Sequence, residues 1–157
     1  MLLSRLVKQH SEPTSFARLP RPAQKALIQY VCFEAGGYLE NKQISLFLQE
    51  MDDSNEEHWD SIIEMVSQVE DRLFHYAEID ALEVCDTIAD MKPEFMDEFP
   101  SFDGYHQWYV AQGDIPYYPE DNRYPSIAWC SESGILDGWH RFHSYLKSGH
   151  STIPLIA

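Results

Sequence analysis

The sequence predicts an α/β fold of the α+β kind, with a helical N-terminal half packed on a small mixed sheet. Three observations carry this expectation. Apolar residues recur at three- and four-residue spacing through residues 21–91, which is the mark of amphipathic helices. Pro93 and Pro100 then break the pattern. Residues 124–157 read as strand, tight turn, helix and strand. The chain has 157 residues, of which 44% are hydrophobic, enough to bury a core. One compact domain spanning 1–157 is the expectation. Aromatic residues make up 13% of the chain, which argues against disorder despite the charge.

Residues 1–20, punctuated by Pro13 and Pro20, read as an arm. Residues 21–35 read as a helix. Pro22 suits its first turn, where a missing N–H costs nothing, and Gly36 and Gly37 supply a stop. Residues 41–51 form a shorter helix with Ile44, Phe47, Leu48 and Met51 on one face. Ser54 or Asn55 caps the next, with Glu56 and Glu57 in a first turn that favours acids. That helix runs to about Asp71 behind a stripe of Trp59, Ile62, Ile63, Val66 and Val69. Residues 73–79, rich in aromatic and β-branched side chains, read as a strand. Residues 81–91 return to helix, with Leu82, Cys85, Ile88 and Ala89 inward. Residues 93–123 are dense in aromatics and turn formers. A short helix at 105–111 and a loop at 113–122 are expected there. Ser126 to Trp129 is a strand and Gly134 to Leu136 opens another. Trp139 to Lys147 is an amphipathic helix with Gly149 as its C′ residue, and Thr152 to Ile156 is a closing strand.

Composition excludes several classes of function. No stretch approaches the 18–20 apolar residues of a membrane span, and the apolar start lacks the long core and cleavage site of a signal peptide. Cys32, Cys85 and Cys130 are odd in number and widely spaced, so neither a zinc site nor a disulfide framework is indicated and a reducing cytoplasm is expected. The formal net charge is −15, which opposes direct binding to nucleic acid. The acidity is uneven: residues 50–103 hold eighteen acids against Arg72 and Lys92. It either keeps the chain soluble or faces a basic partner. In the second case the candidate contact residues are Asp52, Asp53, Glu56, Glu57, Asp60 and Glu64.

The chemistry concentrates in Ile135-Leu-Asp-Gly-Trp-His-Arg141. A strand ends at Asp137-Gly138 and a helix begins at once. Gly138 lets the backbone turn tightly. The helix N-terminus presents unpaired N–H groups and the positive end of a dipole, which suits a phosphate. Gly138, Trp139, His140 and Arg141 are therefore the candidate phosphate-binding residues, with Arg141 able to grip oxygens bidentately and His140 able to donate or carry a proton. Asp137 either caps the helix, the favoured reading, or orients the turn and assists a metal. Glu120 is a candidate base, against the favoured reading of a solvated loop at Glu120-Asp121. Asp137, His140 and Glu120 are the candidate catalytic residues. His58, His75 and His106 show no metal-ligand spacing, and His143 and Tyr145 read as structural.

The segment Asp137-Gly-Trp-His-Arg141, preceded by a strand and followed by Thr152-Ile-Pro-Leu-Ile156, resembles the turn, helix and strand of the ParB/sulfiredoxin-like superfamily. The clear likeness covers residues 124–157, with residues 74–79 as a weaker match to the family's first strand. The resemblance implies a nucleoside triphosphate held at the turn, with magnesium as an accompanying ion. It also implies an NTPase, phosphotransferase or nuclease. Trp139 stands where sulfiredoxins carry their catalytic cysteine, so their thiol chemistry is excluded. No DNA-binding region like that of partition proteins is expected. The alternative is a non-enzymatic acidic inhibitor or adaptor, of the kind carried by plasmids or phages, that binds a basic surface on a partner protein.

Overall fold

The computed structural model describes residues 1–29, 42–113, 115, 123–128, 135 and 137–157. It shows an α+β chain in two compact units, Pro13–Phe74 and Met1–Glu12 with His75–Ala157. No helix among the described residues is long and apolar enough to cross a membrane.

The unit Pro13–Phe74 holds β1 (Thr14–Ser15), α2 (Arg21–Ile28), α3 (Lys42–Glu50), α4 (Glu56–Val69) and β2 (Leu73–Phe74). The strands β1 and β2 pair antiparallel. Pro22 lies in the first turn of α2 as expected, while the glycine stop at 36–37 lies outside the described residues. Asn55 caps α4 by accepting a hydrogen bond from the Glu57 N–H at 2.9 Å. Of the expected α4 stripe, Trp59, Ile62 and Val66 are buried with Leu27 and Ile28 of α2 and Ile44 and Leu48 of α3, Ile63 is half-buried, and Val69 is 46% exposed because the helix ends there.

The second unit opens with α1 (Leu3–Gln9), followed after residue 74 by β3 (Tyr76–Asp80), α5 (Ala81–Asp90), α6 (Phe102–Ala111), β4 (Ser126–Ile127), α7 (Trp139–Lys147) and β5 (Thr152–Ile156). Its sheet has the order β3-β5-β4 and is mixed: β3 runs antiparallel to β5 with Ala77 opposite Leu155, and β4 runs parallel to β5 with Ile127 opposite Ile156. A parallel pair needs a crossover, and α7 supplies it. Leu3, Leu6 and Val7 of α1, Ile79 of β3, Val84 and Ile88 of α5, Phe102 of α6, Phe142 of α7, and Ile153 and Leu155 of β5 form one core.

Four expectations change. The arm at 1–20 contains a helix, because Leu3, Leu6 and Val7 make a short apolar face that is fully buried. The single strand at 73–79 is two strands in two sheets, divided at His75. The helix expected at 105–111 starts earlier, at Phe102, because the Ser101 hydroxyl caps it by accepting from the Gly104 N–H. On α5 Ile88 is buried and Cys85 and Ala89 pack half-buried against the core as expected, joined by buried Val84 and Thr87, while Leu82, expected inward, is 69% exposed. That helix begins directly after β3, and Asp80 caps it by accepting from the Glu83 N–H at 3.1 Å, which fixes its rotation. Of the strand at 134–136, only Ile135 is described, and it is buried. The helix Trp139–Lys147 and the strand Thr152–Ile156 stand at the expected bounds.

Candidate functional site: the turn into α7

The turn before α7 is built by β4. Ile127 and Asp137 form an isolated antiparallel bridge, with the Ile127 N–H donating to the Asp137 carbonyl at 3.0 Å. This fixes Asp137 beside the sheet and leaves one residue to redirect the chain. Gly138 does so in the left-handed region, at φ 82 and ψ 25, which a residue with a Cβ adopts only at a cost. Space also demands glycine. A Cβ at position 138 would stand 2.9 Å from Arg141 Nη2, 2.9 Å from Ser126 Oγ and 3.0 Å from Arg141 Nε. The Ser126 hydroxyl donates to the Gly138 carbonyl at 2.7 Å and ties the turn to β4.

Gly138 is the N-cap of α7, and among the described residues no side chain caps the helix. Asp137, expected there, turns away for a physical reason: its carboxylate accepts from Arg141 Nη2 at 2.9 Å. Both side chains are largely buried, with 14% of Arg141 and 13% of Asp137 exposed. The guanidinium is thus folded over Gly138. Its Nε is buried and has no acceptor among the described residues. The first-turn N–H groups of Trp139, His140 and Arg141 likewise have no acceptor among the described residues. The other end of α7 is closed: Gly149, at φ 75, and His150 donate to the carbonyls of Leu146 and Tyr145, a Schellman pair.

The remaining candidates divide. His140 is exposed, and its Nδ1 lies 3.2 Å from the Tyr109 hydroxyl. The Trp139 side chain belongs to the core: it stacks on Phe142 at 5.3 Å, and its indole N–H donates to the Tyr105 hydroxyl at 3.3 Å. Only its backbone N–H faces the role expected of it. Glu120 lies outside the described residues. Arg123, two residues before Pro125, is held elsewhere. It pairs with Glu78 at 3.1 Å, donates to the Thr152 hydroxyl and carbonyl, and sits over the Tyr145 ring at 5.1 Å.

The six acids proposed to meet a partner all belong to the other unit, and all are exposed. Two are already paired within the chain. Glu56 contacts Lys25 at 2.9 Å and Arg21 at 2.8 Å, and Asp60 contacts Arg21 at 2.7 Å. The hydrogen bonds from Lys25 and then Arg21 hold the Glu56 carboxyl below the usual carboxylate range. Asp52 is lowered mainly by the Ser54 hydroxyl and N–H that it accepts from.

Sequence reasoning missed the cluster behind the turn. His143 is fully buried and His106 is 7% exposed, and their Nδ1 atoms are 2.7 Å apart. Tyr109 stacks on the His143 ring with centroids 3.9 Å apart. Burial pushes His143 down to about 3, with the neighbouring His106 and His140 adding to the effect. Burial lowers His106 too, against the pull of Asp103. The signal available was the spacing: His106 and Tyr109 on one helix, His140 and His143 on another, each pair three residues apart. Among the described residues no group of three or more His, Cys, Asp or Glu side chains is placed to hold a metal ion. Cys85, the one described cysteine, is driven up to about 12, chiefly by burial and then by Asp86, Asp103 and Asp80, so it is a thiol and a poor nucleophile. No protein-family model, curated protein or solved structure matches this chain.

Proposed function

We propose that the turn into α7 binds the phosphates of a nucleotide or a related phosphorylated small molecule. The observation that carries this reading is the uncapped N-terminus of α7 beneath the folded guanidinium of Arg141. A helix start with free N–H groups attracts anions, and a guanidinium held in place by a neighbouring carboxylate is pre-ordered to add two directional donors. Arg141 Nε is buried and has no acceptor among the described residues, so a phosphate oxygen that draws the guanidinium outward would satisfy a donor whose isolation costs roughly 1–3 kcal/mol. The likeness of Asp137 to Arg141 to the ParB/sulfiredoxin-like turn points the same way. His140, exposed at the edge of the turn, is the residue to donate a proton or a hydrogen bond to the bound group. Asp137 holds the Arg141 guanidinium over the turn and competes with the incoming anion for it.

The test is calorimetry with nucleoside triphosphates, with and without magnesium, on the wild type and on Arg141→Ala. The expected result is binding that weakens at least tenfold in the variant. Absence of binding at millimolar ligand overturns the reading. Where binding is found, release of phosphate or cleavage of DNA measured on the same samples separates a hydrolase, a transferase and a nuclease from a non-catalytic binder.

A second reading, an acidic adaptor or inhibitor for a basic protein surface, is favoured by one observation. Asp53, Glu57 and Glu64 are exposed on or beside α4, and among the described residues none of the three forms an ion pair. In that case neutralising these three leaves nucleotide binding intact and abolishes a partner interaction that weakens steeply with salt.

A further inference from the structure

The two buried histidines lie edge to edge. Their ring planes differ by 5° and their centroids are 5.0 Å apart, while the Nδ1 atoms are 2.7 Å apart. A contact that short between nearly coplanar rings means that the two Nδ1 atoms point at one another. Such a line holds one proton. In the neutral pair one Nδ1–H donates to the lone pair of the other Nδ1, whichever ring carries the hydrogen. When both rings are cations, each Nδ1 bears hydrogen and two N–H groups meet head to head, so the contact cannot survive. The surroundings offer a second charge little relief. His143 Nε2 is buried with no partner among the described residues, and the ring is enclosed by Tyr109, Phe102, Trp139 and Phe142.

Among the described residues the ionisable groups around the pair are few. On α6, Asp103 lies one turn before His106, and the hydroxyls of Tyr105 and Tyr109 lie alongside. On α7 there is His140. On α5, which packs on α6, Cys85 sits near Asp103 with Asp86 and Asp80 beside it. Only Asp103 favours a charge on His106, and it is exposed. Tyr109 links the pair to the surface. Its ring lies on His143, and its hydroxyl meets His140 Nδ1.

We propose that the His106–His143 pair is an acid-released latch: closed, it holds α6 on α7 and, through Tyr109, fixes His140 at the turn, so that anion binding there requires the latch to be shut. The coupling to anion binding rests on the phosphate reading, whereas the latch itself does not.

Two measurements separate them. The first is an NMR titration of the wild-type protein from pH 8 to pH 3, followed on histidine and indole side-chain nitrogens and on aromatic ring protons. The expected result is that His106 and His143 titrate with a common midpoint below 6.5, and that the Tyr109 ring and Trp139 indole resonances move at that same midpoint. Independent titration of the two histidines near 6.5, or stationary Tyr109 signals, overturns the latch. The second is the affinity for inorganic pyrophosphate across the same range, in the wild type and in a His106→Phe/His143→Phe double variant that retains His140. The wild type is expected to lose at least tenfold in affinity on passing from pH 8 to below the midpoint, whereas the double variant, which has no latch to open, is expected to lose less than threefold over the same range. Equal pH dependence in both overturns the coupling. Pyrophosphate that fails to bind at any pH, beside histidines that titrate together, refutes the phosphate reading and the coupling while leaving the latch standing. If the double variant does not fold, His106→Gln takes its place, and the wild-type titration still decides the latch.

Discussion

Replacing Gly138 with alanine tests whether the turn into α7 is built as described. Two separate effects add. The backbone at φ 82 penalises a Cβ by about 1 kcal/mol, the low end of the left-handed cost. The new methyl also has no room: Arg141 Nη2 and Ser126 Oγ both lie 2.9 Å from its position. The guanidinium must swing away, weakening a largely buried hydrogen bond to Asp137, and the serine must leave the Gly138 carbonyl. A charged hydrogen bond contributes about 1.5–3 kcal/mol and a neutral one about 1 kcal/mol. Partial loss of both gives a total near 3 kcal/mol, a large share of an ordinary domain's ~5–15 kcal/mol. The assay is urea unfolding at pH 7.5 on the wild type, Gly138→Ala, Ser126→Ala and the double variant. Removing the Ser126 hydroxyl relieves one of the collisions, so the double variant should be more stable than the sum of the single effects predicts, by ~0.5–1 kcal/mol. A Gly138→Ala protein within ~0.5 kcal/mol of wild type would refute the geometry of the turn, and additive single effects would refute the specific collision with Ser126.

Three further outcomes follow from individual contacts. His143, whose folded value of about 3 lies below its usual 6.5, is neutral when folded and takes up a proton more readily when unfolded. Its contribution is present above pH 6.5 and lost as pH falls toward 3; at about 1.4 kcal/mol per unit of difference its ceiling is ~5 kcal/mol. Urea midpoints measured from pH 7.5 to 4 should fall more steeply for the wild type than for His143→Phe. Asn55→Ala removes the α4 cap and should cost ~1 kcal/mol in thermal unfolding, with Asn55→Asp nearly neutral. Asp137→Asn releases Arg141 from its carboxylate. It should raise pyrophosphate affinity severalfold by calorimetry while lowering stability by ~1–2 kcal/mol, and affinity that falls instead would mean the carboxylate is needed to aim the guanidinium.

The fold was legible where one periodicity ran long enough to average out local exceptions. The α4 stripe of Trp59, Ile62 and Val66 spans two turns and is flanked by a cap and two acids, so three independent signals agree. The C-terminal helix was legible for the same reason, with a glycine at each end. The misreadings share a cause. Seven residues of α1 present only Leu3, Leu6 and Val7, too few to separate a helix from an apolar arm. The strand at 73–79 reads continuously because periodicity records burial on each side of His75 and not which sheet receives it. On α5, Leu82 and Val84 are both apolar, and the rotation that buries one and exposes the other is set by the Asp80 cap and the core beneath.

The site was half legible, and the missing half is the instructive one. A glycine before a helix with an arginine in its first turn announces an anion site by local chemistry alone. The fate of that arginine's charge depends on what the preceding residue does, and an aspartate at that place satisfies two rules at once: it is a good cap and a good partner for a cation four residues on. The left-handed glycine decides between them. It puts Asp137 one residue too early to reach the free N–H groups and places its carboxylate beside Arg141 instead. The helix start is thereby left uncapped, and the cation that would attract a phosphate is already neutralised. A phosphate entering the turn therefore displaces or shares an internal anion and does not meet a bare positive charge. That predicts an affinity governed by the backbone N–H groups and by ligand charge, strongest for polyphosphates, and it makes Asp137→Asn the variant that most directly reports whether the turn is an anion site at all.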